Sequence, residues 1–292
     1  MDEFDVILRA RRVSGRLTAD QIGLPLEAYL KAMNGLPHDV IVRLDTTLAS
    51  DEAGHTVIVG GRRCIIINGN DRQERQRFTA CHEVAHVVLG LPTEHVNGGT
   101  QFARRSPNEI LCDVFAAELL LPCHLVQPLV EESELGFAAI ERLSEQFLAS
   151  LAATGSRFAV VCDRPCAFVL MHDGTIRYAS LSKSLREIRG WIRSGQKAPE
   201  ASLAAQLMRS AGAEGPIEIA ADEWLDDCKR GGVLLEDARH FPRWSQTLSL
   251  LWFEDEVPSS SSRCVEDDED EEPALRPLDG VLPWPGKGRR RR

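Results

Sequence analysis

The alternation of apolar and polar positions changes period several times along the chain, and each change predicts a change of element. Residues 1–36 carry a helical pattern: Phe4, Ile7, Leu8 and Arg11 share one periodicity, and Leu24-Pro25 opens a second short helix that runs through Leu30 and Met33 to a stop signal at Asn34-Gly35. From Asp39 the pattern turns strand-like. Residues 40–44, 55–59 and 63–67 are three runs of β-favouring residues, and Gly60-Gly61 between the last two marks a hairpin, so a small antiparallel sheet is expected. Residues 72–90 return to helical spacing, with Phe78, Cys81, Ala85, Val88 and Leu89 as an apolar stripe, Asp71 as the expected cap, and Gly90 and Pro92 as stops. Residues 107–122 form a further helix with Pro107 in its first turn and Pro122 at its end; 137–147 is amphipathic. Beyond it, 158–162, 167–171, 175–180, 217–219 and 245–253 read as strands and 184–193 and 200–210 as helices, with His172-Asp173-Gly174 as a hairpin turn. After Asp255 the pattern stops. Serines 259–262, the acidic run 266–272 and Arg289 to Arg292 describe a disordered tail.

The helix at 72–90 carries the chemistry, because it contains His82-Glu83-Val84-Ala85-His86. Residues four apart on a helix lie one above the other, so both imidazoles can face one metal ion. Glu83 falls about 100° round from His82, where it can reach a water held by the ion without ligating it. Two neutral imidazoles beside a carboxylate suit zinc, which binds nitrogen ligands and activates water. The apolar stripe beside the two histidines implies that they are partly buried, and a buried imidazole needs a partner.

Composition narrows the classes. At 292 residues, 43% of them hydrophobic, the chain can build two cored domains and a tail. Its formal net charge of −10 argues against a constitutive nucleic-acid or membrane-surface binder. No apolar run approaches the roughly 18 residues of a membrane span. The start, Met1-Asp2-Glu3-Phe4-Asp5, is acidic where a signal peptide is basic, so a cytoplasmic protein is expected. Eight cysteines, at 64, 81, 112, 123, 162, 166, 228 and 264, form no Cys-x-x-Cys pair and read as reduced, buried hydrophobes.

A hydrolytic zinc site takes three protein ligands and keeps one position open. Glu94, His95, Glu109, Asp113, Glu118 and His124 are the candidates for the third. Glu109 and Asp113 lie one turn apart, so one can ligate while the other accepts the free ring N–H of a ligating histidine. Glu118 is not excluded by geometry, and His124 reads first as a helix-face residue.

Residues Ile65-Ile66-Ile67-Asn68, Glu74-Arg75-Gln76-Arg77-Phe78-Thr79, His82-Glu83-Val84-Ala85-His86 and the stretch 109–122 together resemble the ImmA/IrrE family of bacterial metallopeptidases. The resemblance implies an α+β fold: a zincin-like metallopeptidase core at 1–128, a helical helix-turn-helix-like segment at 129–156, a C-terminal mixed α/β, GAF-like domain at 157–254, and the tail 255–292. It implies zinc, with manganese an alternative occupant, held by His82, His86 and Glu109, with Glu83 as the catalytic base. Asp113 stands where the family usually has Asn and resembles the second acidic residue of the wider gluzincins, which places it behind a ligand. The implied activity is endopeptidase cleavage of a protein substrate, a helix-turn-helix transcriptional repressor, in a stress or mobile-element response, with direct nucleic-acid binding not expected. A competing class is a non-catalytic metal-containing regulator that acts through partner binding by its C-terminal domain; an open zinc position argues against it.

Overall fold

The computed structural model describes residues 2–33, 36, 40–92, 106–210 and 213–254. The stop signal at Asn34-Gly35, the candidates Glu94 and His95, and the tail from Asp255 lie outside them. The first helix, α1 (Glu3–Ser14), is capped by Asp2, whose carboxylate accepts from the Asp5 N–H at 2.8 Å. A short α2 (Leu26–Ala32) follows. Strands β1 (Val40–Asp45), β2 (Gly54–Val59) and β3 (Arg62–Asn68) form a three-stranded sheet in the order β1-β3-β2. This sheet is mixed, not antiparallel: β2 and β3 form the expected hairpin, but β1 runs parallel to β3. Strand direction is set by pairing between distant residues, which local periodicity does not record. Asn68, almost fully buried, secures the connection by donating to the Ala49 and Glu52 carbonyls.

Helix α3 (Gln73–Leu89) packs on this sheet, and α4 (Pro107–Leu120) packs on α3 and on α1. The N-cap of α3 is Arg72; Asp71 instead pairs with Arg75 at 3.1 Å. Gly90 ends α3 in a left-handed conformation (φ 67°), the geometry a glycine adopts without strain. Then come α5 (Cys123–Glu131), α6 (Phe137–Phe147) and α7 (Leu151–Val161). Residues 158–161, expected as strand, are the last turn of α7, a helix nucleated by Ser150 accepting from the Ala153 N–H. The β-branched pair Val160-Val161 misleads there, because burial of Phe158 and Ala159 outweighs local propensity.

A five-stranded antiparallel sheet closes the described fold, in the order β5-β4-β8-β7-β6. It is built from β4 (Cys166–His172), β5 (Thr175–Leu181), β6 (Ile217–Ala220), β7 (Val233–Phe241) and β8 (Gln246–Trp252). Short helices α8 (Lys183–Glu187), α9 (Leu203–Arg209) and α10 (Ala221–Trp224) lie between them, α8 being shorter than its expected range. Strand β7 escapes a periodicity reading because Glu236 and Asp237 sit in its middle, both buried. Glu236 accepts from the N–H groups of Leu203 and Ala204, the Trp224 indole and the Ser249 hydroxyl, which satisfies its carboxylate. Asp237 accepts from the Phe137 N–H and so ties the sheet to α6. Strand β4 is buried on both faces: Phe168 and Leu170 join the core shared with α1–α7, and Val169 and Met171 join a second core on the opposite side. No helix among the described residues is long and apolar enough to cross a membrane.

Candidate metal centre

Helix α3 buries His82, Glu83 and His86 against its neighbours. The two Nε2 atoms lie 3.1 Å apart. Helix α4 brings Glu109 to the same point, with Oε2 3.0 Å from His82 Nε2 and Oε1 3.5 Å from His86 Nε2. Zinc bonds of about 2.0–2.1 Å in tetrahedral array would place ligand atoms roughly 3.3 Å apart, which matches this spacing. His82, His86 and Glu109 are the one group of this kind among the described residues.

The other ring nitrogens decide what the centre can hold. His82 Nδ1 lies 3.0 Å from Asp113 Oδ1, and His86 Nδ1 lies 3.2 Å from the Leu91 carbonyl oxygen. Both acceptors lack a proton, so each Nδ1 carries the hydrogen and donates it. In neutral rings the lone pairs are then on Nε2, facing each other beside a carboxylate. Such an arrangement fits a positive charge, carried by a metal ion or by a proton on His82. Burial opposes protonation of His82, but the hydrogen bond and charge of Asp113, with the charges of Glu109 and Glu83, outweigh it and raise its pKa above the ordinary value.

Glu83 is 1% exposed, and its Oε2 accepts from the Thr56 hydroxyl at 2.6 Å. Thr56 lies on β2, so the small sheet contributes a side chain to the centre. Neither Thr56 nor the Leu91 carbonyl is visible to motif reading. The alternation of β2 and the left-handed Gly90, which turns Leu91 back onto α3, are the signals that could have pointed to them.

The remaining candidates lie elsewhere. Glu118 is clamped by Arg157 at 3.0 Å and Arg11 at 3.4 Å, and accepts from the Cys123 N–H. His124 Nε2 sits 3.1 Å from the Leu17 carbonyl, tying α5 to the segment after α1. Cys81 is fully buried, and burial pushes its thiol up to about 12, so it is a core residue and not a ligand. The seven described cysteines are free thiols.

A helix pair that gathers two imidazoles and a carboxylate beside a second, buried carboxylate, packed on a three-stranded sheet, is consistent with a zincin-like core. Residues 38–158 match the family model of the IrrE N-terminal-like domain, Peptidase_M78, which supports the resemblance of this segment to the ImmA/IrrE family. It is 27% identical over 196 residues to the radiation response metalloprotease IrrE of Deinococcus deserti, an alignment covering 62% of this chain and 65% of that protein. The chain thus spans less than two thirds of that curated relative. A Mycobacterium tuberculosis transcriptional regulator shares the fold with a TM-score of 0.51, over 85% of this chain and 76% of its own, at 11% identity. That likeness is one of fold alone.

Proposed function

We propose that the chain is a zinc-dependent endopeptidase of the cytoplasm whose substrate is a helix-turn-helix repressor, cleaved to relieve repression in a stress or mobile-element response. The observation that carries this reading is the pair of Nε2 lone pairs and the Glu109 carboxylate meeting at one point beside buried Glu83. His82, His86 and Glu109 would hold zinc, with Asp113 and the Leu91 carbonyl fixing the two ring orientations. The ion, when bound, polarises the scissile carbonyl and makes water a stronger acid. Glu83 takes the proton of the attacking water and returns it to the leaving amine. In the order β1-β3-β2 the outer side of β2 pairs with no other described strand, and an extended peptide laid along it would pass close to Glu83.

Helices α6 and α7 retain the helix-turn-helix-like reading and the five-stranded sheet the GAF-like one, as packing and partner-docking modules. Burial of Thr154, Gly155, Phe158 and Ala159 on α7 favours packing over insertion into a DNA groove.

The test is incubation of the zinc-loaded chain with the helix-turn-helix repressor encoded nearest its gene. Cleavage is expected, with loss on chelation and recovery on adding zinc. An intact repressor at equimolar enzyme would overturn the substrate assignment.

A further inference from the structure

Glu83 is a long side chain buried at the edge of the metal centre, and an ionised carboxylate there needs a donor to hold one orientation. Thr56 Oγ1 donates to its Oε2 at 2.6 Å, across twenty-seven residues of sequence and from a different secondary-structure layer. Strand alternation puts Gly54 and Thr56 on the same face of β2. That face is pressed onto α3: a Cβ added at Gly54 would stand 2.9 Å from Thr79 Cγ2 and 2.7 Å from the Ile66 carbonyl oxygen. Thr56 is also locked from behind, because its backbone pairs opposite Ile65 of the central strand, a fully buried residue. The hydroxyl is therefore fixed by the sheet before it meets the carboxylate.

We propose that Thr56 is a positioning residue for Glu83, so that the edge strand on which a substrate would lie also aims the base that acts on it. This rests on the peptidase reading and deepens it. A carboxylate has about four acceptor positions, and the bond from Thr56 occupies one of them and restrains the orientation of the group. Any displacement of β2 when a peptide pairs along it is passed directly to the base.

The experiment uses the full chain loaded with cobalt(II) and acetohydroxamate as the probe. This acid chelates the ion while passing its hydroxyl proton to an adjacent carboxylate, and its binding is followed in the visible spectrum. Thr56→Val, of nearly the same shape, is expected to keep one cobalt per chain and to bind acetohydroxamate about ten- to a hundredfold more weakly, as loss of one hydrogen bond to a charged group implies. Thr56→Ser restores the hydroxyl and should bind like the wild type; Glu83→Gln should weaken binding at least as much as Thr56→Val. Wild-type affinity in Thr56→Val together with weakened binding in Glu83→Gln overturns the positioning role alone. Wild-type affinity in Glu83→Gln overturns the base assignment, and this inference with it. Loss of cobalt by Thr56→Val would show that Thr56 holds the sheet together and does not aim the base, which also overturns the proposal.

Discussion

Helix α4 carries two buried or half-buried glutamates that face opposite kinds of surroundings. Glu118 is 1% exposed and is neutralised by the chain itself, through Arg157 at 3.0 Å and Arg11 at 3.4 Å. Glu109 is turned toward the Nε2 atoms of His82 and His86, which are uncharged when they act as ligands. One carboxylate meets two guanidinium groups; the other meets two imidazole nitrogens at a point where a metal ion fits. The residue type and the helix are the same, so what faces the side chain decides whether it ties helices together or is offered to a metal.

The comparison breaks most visibly at Glu109. Glu109→Ala is expected to lower zinc affinity by more than about a hundredfold, above the range for outer partners of a metal site, in a competition titration with a chromophoric chelator. Glu118→Ala should leave that titration unchanged while removing about 3 kcal/mol of stability in denaturant unfolding, since it strands the mostly buried Arg157. Reversal of these two results would exchange the roles of the two glutamates. Asp113→Asn keeps an acceptor on His82 but loses its charge, and is expected to weaken zinc binding by about 10- to 100-fold with little change in unfolding. Arg11, half exposed, separates the partners of Glu118: Arg11→Ala should cost about 0.5 kcal/mol or less, well below the Glu118→Ala effect.

Much of this contrast was legible before the fold. His82, Glu83 and His86 stand at helical spacing on one strongly patterned segment, and Asp113 stands one turn from Glu109, so their proximity follows from local geometry. Glu109 is one of six candidates in the sequence, and only the family resemblance favours it, because the approach of α4 to the two histidines of α3 is a long-range fact. The Glu118 clamp was invisible for the same reason: Arg11 and Arg157 come from α1 and α7. Thr56 and the Leu91 carbonyl belong with it, one a strand residue with no motif and the other a backbone atom. The sheets show the same limit. The β2–β3 hairpin is local and was read from Gly60-Gly61, whereas the parallel pairing of β1 with β3 and the buried Glu236 and Asp237 of β7 depend on neighbours far along the chain.

Hydrolysis by Glu83→Gln tests the central claim most directly. The variant, loaded with one equivalent of zinc, would be incubated with the same repressor as the wild type and cleavage followed by mass spectrometry. The account predicts retained zinc and a loss of roughly 10²- to 10⁴-fold in cleavage rate, the contribution of a positioned general base. Wild-type cleavage by the zinc-loaded variant would contradict it.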